Sequence, residues 1–124
     1  MTGFDDRSPI YLQIAEQIET GILRGELRPE EQVMSTNQYA AHYRINPATA
    51  AKAFQRLVDD GVLYKKRGIG MFVSPDAPDR LRARRRERFF AEVLEPMVAE
   101  AAAIGIPLDD VIRRIERIRE EDAR

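Results

Sequence analysis

The stretch that most narrows what this chain can fold into runs from Ser35 to Gly61, STNQYAAHYRINPATAAKAFQRLVDDG, where two helix starts follow each other too closely for anything but a sharp corner. Ser35 stands three residues before Gln38, the spacing of a capping box, in which each side chain satisfies a free backbone donor of the other at a helix start. A helix is therefore expected from Thr36. Asn46 followed by Pro47 is a second start signal: asparagine is a favoured N-cap, and proline at the first helical position loses nothing by lacking an N–H. The first helix must then stop near Tyr43. Only Arg44 and Ile45 are left over, the length of a helix-turn-helix corner.

At about 100° per residue, Ala50, Ala53, Phe54 and Leu57 fall on one side of the second helix, with Val58 at its edge. Ala48, Thr49, Lys52, Gln55, Arg56 and Asp59 fall on the other. The first set is a core stripe. In the second, Thr49 and Lys52 lie among Ala48 and Ala51, which are small enough for close approach to a surface. A hydroxyl and a long cation are donors suited to phosphate oxygens and base edges in a major groove. A plain solvated face is the competing reading for a helix that stands alone.

This helix does not stand alone. After Gly61, expected just past the helix end, come Val62–Lys66 and Met71–Ser74, each patterned as a short strand, with Arg67-Gly68-Ile69-Gly70 as the turn. Lys65, Lys66 and Arg67 gather beside two glycines at the tip. A helix-turn-helix followed by a basic hairpin is a winged helix, whose second helix enters the major groove while the wing lies along the backbone or minor groove. Six cations and two carboxylates occupy Arg44 to Phe72, a local excess expected of a phosphate-binding face.

The run from Pro9 to Val73 resembles the DNA-binding domain of the GntR family of bacterial transcription regulators. The matching residues are Pro9-Ile10-Tyr11, Ile18, Gly21-Ile22, Gly25-Glu26-Leu27, Ser35, Tyr39-Ala40, Asn46-Pro47-Ala48-Thr49, Ala53-Phe54, Leu57, Gly61 and Arg67-Gly68-Ile69-Gly70-Met71-Phe72-Val73. About half the chain is covered, and the short helical remainder is similar to the YtrA-type subfamily, with its two-helix dimerisation unit. Three positions depart from the pattern: Asn37 and Lys52 stand where arginine is usual, and Glu30 replaces the glycine that normally follows Pro29. The first two bear on operator sequence. The resemblance implies an inverted-repeat operator of double-stranded DNA, and repression of transporter operons as a common role in the subfamily.

Bulk composition sets limits. With 124 residues, 44% hydrophobic and 33% charged, the chain can hold one compact domain plus an appendage behind a water-compatible surface. No run approaches the roughly 18 apolar residues of a membrane span, and no charged-then-apolar leader opens the chain, so a cytoplasmic protein with no membrane contact is expected. The net charge of −1 means that any attraction to nucleic acid must be patterned onto one face. There is no cysteine, and His42 is the only histidine, so an ordinary exposed or capping histidine is expected, with no metal and no cofactor. Tyr11, Tyr39, Tyr43 and Tyr64 fit core edges. No phosphate-cradling loop, nucleophile elbow or paired acid and base appears, and no enzyme is expected.

Met1 to Arg7 carry no pattern and are expected to be loose. Ser8 is placed as the cap of a first helix with Pro9 at its first position, and Ile10, Ile14, Ile18 and Ile22 form its core stripe, ending near Arg24. Gly21 inside it is expected to allow close packing of a neighbouring helix. In the connector, Leu27 and Val33 are expected to point inward and Gln32-Val33 to add a small third strand beside the wing.

Pro75, Ala77 and Pro78 with two aspartates read as a linker, dividing a winged helix-turn-helix domain over residues 1–75 from a helical dimerisation domain over 76–124. The fold expected is thus mainly α with a small β-hairpin wing. Six arginines, Arg80, Arg82, Arg84, Arg85, Arg86 and Arg88, open the next helix; they read first as a solvated, ion-paired start with Glu87 and Glu92 as partners, and alternatively as contacts to phosphates flanking an operator. One long helix bent at Pro96 is expected as far as Gly105, with Pro107 starting the last. Phe90, Val93, Leu94, Met97, Val98 and Ala101, then Val111, Ile112, Ile115 and Ile118, leave more apolar face than two helices can bury between them. A second copy is the expected cover, making a homodimer through Phe89 to Ile118.

The site expected is therefore Thr49 and Lys52 in the major groove, with Ala48 clearing the approach, Asn46 capping the helix against a phosphate, Ser35, Thr36, Asn37 and Arg44 on the backbone, and Lys66, Arg67 and Gly68 at the neighbouring minor groove. The reading from a different class is a winged-helix protein-interaction module that never meets DNA, which calls for exposed apolar residues on the second motif helix. The capped C-terminal helices speak against a chain cut from a longer regulator. A small-molecule effector, if the protein takes one, is expected between the dimerisation helices or between the two parts.

Overall fold

The computed structural model describes residues 4–123. Its elements are α1 (Ile10–Leu23), α2 (Thr36–Tyr43), α3 (Pro47–Asp59), the hairpin β1 (Leu63–Lys66) and β2 (Gly70–Val73), α4 (Ala77–Phe89), a π-helical turn (Phe90–Leu94), α5 (Glu95–Ala103) and α6 (Leu108–Asp122). Two compact units divide between Ala83 and Arg84.

In α1, Ile14, Ile18 and Ile22 are buried and Ile10 packs at the core edge, as the four-residue spacing predicts. The N-cap is Pro9, with no side-chain cap bond, and not Ser8. The Ser8 carbonyl has another partner, the Nε2 of buried Gln13, which also donates to the Asp5 carbonyl, while the Asp5 N–H donates to Gln13 Oε1. With Phe4 packed on the core, the segment expected to be loose is tied down from Phe4 onward; Met1–Gly3 lie outside the described residues. Beyond Arg24, Gly25 takes φ +80 and the N–H of Glu26 donates back to Gly21. Gly21 makes room for the connector, not for a helix: a Cβ there would meet Leu27 Cδ1 at 3.4 Å.

Leu27 and Val33 do pack against the core. The third strand is a single antiparallel bridge, Gln32 to Phe72, supported by Val33 N–H to the Met71 carbonyl and Val73 N–H to the Glu31 carbonyl, both 2.9 Å. The hairpin pairs Leu63 with Val73 and Lys66 with Gly70, so the glycine expected in the turn begins the second strand.

Both caps of the central motif form as their spacing predicts. Gln38 N–H donates to Ser35 Oγ (3.1 Å) and Ser35 N–H to Gln38 Oε1 (3.0 Å). Asn46 Oδ1 accepts from Ala48 N–H at 2.8 Å. Between the helices Arg44 adopts the left-handed conformation at φ 54, and Ile45 N–H closes on the Ala40 carbonyl. The core behind the motif contains Ile14, Phe54, Leu57, Val62, Leu63, Val73 and Leu81, all essentially inaccessible. Each such side chain contributes on the order of 1.5–3 kcal/mol relative to exposure.

Leu81 and Ala77 in that core mean that the proline-rich stretch after the wing is not a spacer. It turns directly into α4, whose first turns cover the winged domain, and the compact unit therefore runs beyond residue 75. Arg80 of α4 pairs with Asp76 just before the helix and Arg82 with Asp79, each at 2.7 Å, while Arg88 stands 4.0 Å from Glu92 in the turn that follows.

In the second unit the helix does not simply bend at Pro96. Proline has no N–H and its ring crowds the carbonyl four residues back, and the backbone meets this with a π-helical turn in which Glu95 N–H reaches the Phe90 carbonyl. α5 ends at Ala103 with Gly105 just beyond its cap at φ +78, and Pro107 is the N-cap of α6. α5 packs on α6 and buries Ala101. Leu94, Val98 and Val111 are half-buried, while Phe90, Val93, Met97, Ile112, Ile115 and Ile118 are between 40% and 64% exposed.

Candidate nucleic-acid interface

The capped start of α3 presents a flat, polar strip. Ala48, Ala51, Lys52, Gln55 and Arg56 are exposed and Thr49 is half-buried beside them, while Ala50, Ala53, Phe54 and Leu57 face inward. No large apolar side chain interrupts the strip, which is the feature that separates a nucleic-acid face from a protein-docking face on this helix. Gln55 Nε2 donates to Asp59 (2.8 Å) and Arg56 lies 4.0 Å from Asp60, so both lean toward the C-terminal end. Among the described residues Lys52 makes no ion pair; its Nζ sits 4.1 Å from the centroid of the Tyr11 ring.

A second group converges from far apart in sequence. Ser35 and Thr36 at the start of α2, with Lys65, Lys66, Gly68, Ile69, Gly70 and Met71 of the wing, line one open groove of about 300 Å³. The capping box satisfies the N–H groups of Ser35 and Gln38, while those of Thr36 and Asn37 have no intrahelical partner, so the partial positive end of the helix and two lysines border the groove. A helix start of this kind offers an anion backbone N–H donors and the positive end of the dipole. Lys66 lies with its Nζ 4.4 Å from the Phe72 ring centroid, so its charge stays near the hairpin surface.

The wing tip is tied to the connector. Gln32 Nε2 donates to the Ile69 carbonyl at 3.2 Å, and the same nitrogen is 2.6 Å from where a Cβ on Gly70 would sit. Gly70 at φ +149 and Gly68 at φ +78 permit a turn that a side chain would strain. Asn37, Arg44, Asn46, Arg67 and Gly68 are exposed as expected. His42 is exposed, its ring 4.6 Å from that of Tyr43.

Sequence reasoning placed Lys65 in the basic run but not at the site, and took Tyr11 only as a core edge. Strand pairing could have pointed to Lys65, since it stands opposite Met71 at the groove. Nothing local marks Tyr11 as the neighbour of Lys52.

Comparison with known proteins agrees with the winged-helix fold. The family described as bacterial regulatory proteins, gntR family, matches residues 10–73. The HTH-type transcriptional repressor YtrA of Bacillus subtilis is 29% identical over 120 residues, covering 95% of this chain and 92% of that protein. A GntR family transcriptional regulator from Listeria monocytogenes superposes with a TM-score of 0.75 at 26% identity, over 92% of this chain and 98% of the other. AraR(DBD), solved in complex with operator ORR3, matches 60% of this chain and 89% of its own at 30% identity and a TM-score of 0.53.

Proposed function

The chain belongs to the GntR family of bacterial regulatory proteins, and on that premise we propose that this transcriptional regulator is a repressor that binds an inverted-repeat operator as a homodimer. The observation that carries the reading is the convergence of an uninterrupted polar strip on α3 with a cationic groove between α2 and the wing. Thr49 and Lys52 enter the major groove, where Lys52 reads a guanine edge. Ser35, Thr36, Asn37 and Arg44 hold the phosphate backbone, and Lys66, Arg67 and Gly68 lie at the adjoining minor groove. AraR(DBD) in complex with its operator supports DNA as the ligand of this fold.

Dimerisation is supported by the apolar side chains of the second unit that stand 40–64% exposed, Phe90, Val93, Met97, Ile112, Ile115 and Ile118. Two copies present two reading helices, and two-fold protein symmetry is mirrored by a palindromic site. No helix among the described residues is long and apolar enough to cross a membrane, and the protein works where bacterial DNA lies, in the cytoplasm. The role is binding, with no reaction catalysed. A small-molecule effector, where one acts, lodges against the dimerisation helices.

Selection of duplexes from a random pool tests the reading. An enriched inverted repeat bound by two subunits is the expected result; enrichment of nothing, or retention of duplexes without regard to sequence, rejects it. A winged protein-docking module predicts the first of these failures.

A further inference from the structure

Lys52 is not a free arm. Its ammonium rests on the face of Tyr11, a residue from the first turn of α1, across the packing of α1 on α3. Tyr11 is half-buried and packed against the core, so the scaffold sets the orientation of its ring. A lysine side chain otherwise gives up much rotamer freedom on making a contact, and a cation is attracted to the negative face of an aromatic ring. With Arg56 and Gln55 drawn toward Asp60 and Asp59, Lys52 is the cation of α3 left for the groove, and among the described residues it is the Tyr11 ring that its ammonium meets.

We infer that Tyr11 is a positioning residue for Lys52: its ring fixes the ammonium on the turn next to Thr49, so that hydroxyl and cation meet a base edge as a preset pair. This rests on the DNA-binding reading above and adds to it a residue outside the recognition motif. The alternative use of the same contact is sequestration, in which the lysine must leave the ring before it can touch DNA. The two differ in sign, because removing the ring weakens binding in the first case and tightens it in the second.

Two measurements on the full chain test it. In the protein without DNA, the Lys52 Hε resonances should be shifted upfield by the ring current in wild type and in Tyr11→Phe, and should lose that shift in Tyr11→Leu. On a duplex enriched by the wild-type chain, Tyr11→Phe should bind within about twofold of wild type and Tyr11→Leu about two- to fivefold more weakly, the range of an exposed cation–π contact. In the Lys52→Ala background Tyr11→Leu should add nothing. Tyr11→Met, which fills the same space without a ring face, serves if Tyr11→Leu melts too low to measure. Unshifted Lys52 resonances in wild type, tighter binding by Tyr11→Leu, or an equal loss with and without Lys52 would each overturn the inference. A chain that enriches no duplex overturns the DNA reading and this role with it, and the resonances tell that outcome from failure of the contact alone.

Discussion

The phenolic hydroxyl of Tyr64 on the first wing strand donates to the carboxylate of Glu30, which sits at φ 70 in the left-handed region that favours glycine. The Glu30 N–H also donates to the Val73 carbonyl at 2.8 Å, so the second wing strand holds the residue in that conformation.

A residue other than glycine costs about 1–2 kcal/mol in that region, and glycine returns part of this by loosening the unfolded chain. Glu30→Ala keeps the strain and loses the tyrosine's partner; Glu30→Gly loses the partner and the strain. Urea denaturation should therefore rank Glu30→Gly above Glu30→Ala by about 1 kcal/mol. The hydrogen bond to Glu30 is also the largest cause that pushes the Tyr64 phenol above its ordinary value of 10.0. Its contribution is complete below that value and fades as pH climbs through the raised one. Phenolate absorbance of Tyr64 should accordingly appear at lower pH in Glu30→Gly than in wild type.

Lys52 and Arg44 should fail in different ways. On the reading proposed above, replacing Lys52 by alanine takes away a base-reading donor and should cost about 1–3 kcal/mol on the selected operator while relaxing one base position. Arg44 occupies a left-handed turn, so alanine there would confuse charge with backbone strain; Arg44→Asn keeps a residue that tolerates the conformation. It should weaken selected and random duplexes alike and lower the salt slope by about 1. Equal behaviour of the two variants on specific and random DNA would contradict these roles.

What could be read before any coordinates was whatever two or three adjacent side chains encode. Ser35 with Gln38, and Asn46 with Pro47, mark helix starts because a cap is a local hydrogen bond, and both bonds are present. The isoleucine stripe of α1 and the buried face of α3 were equally legible, being set by helical period alone. What hid was long-range or sparse. Ala77 and Leu81 are two apolar residues among arginines, too few to outweigh the proline signal, yet they reach the core. Tyr11 meets Lys52 only because α1 crosses α3, and Gln13 looks like any polar helix residue until its side chain is seen clamping Asp5 and Ser8.

Acid should act on the start of α4. Arg80 donates to Asp76 at 2.7 Å, the largest cause holding that carboxyl below its ordinary 3.8. A carboxyl depressed in the folded state contributes stability that is present above its unfolded value and is lost as pH falls through the folded one. Asp76→Asn should therefore be less stable than wild type at pH 6, with the gap closing as pH drops below 3.8. A gap that persists at lower pH would assign the loss to packing of the turn and not to the ion pair.

The second unit offers the sharpest test of the assembly. Ile112, Ile115 and Ile118 on α6 are 45–50% exposed, and Phe90, Val93 and Met97 in the preceding helical segments are 40–64% exposed. Fully burying one such side chain is worth roughly 1.5–3 kcal/mol, so a dimer that covers both copies of two isoleucines gains several kcal/mol from them alone. Ile112→Glu combined with Ile115→Glu places charge where that face would close, on residues already half-exposed in one copy, so the winged domain should keep its stability. Sedimentation equilibrium at tens of micromolar should show dimer for the wild type and monomer for the double variant. Because two reading helices then bind as separate molecules, the variant should hold a half-site nearly as well as before and lose its preference for the full inverted repeat. A wild type that sediments only as monomer would end the proposal, and a double variant that remains dimeric would move the interface away from α6.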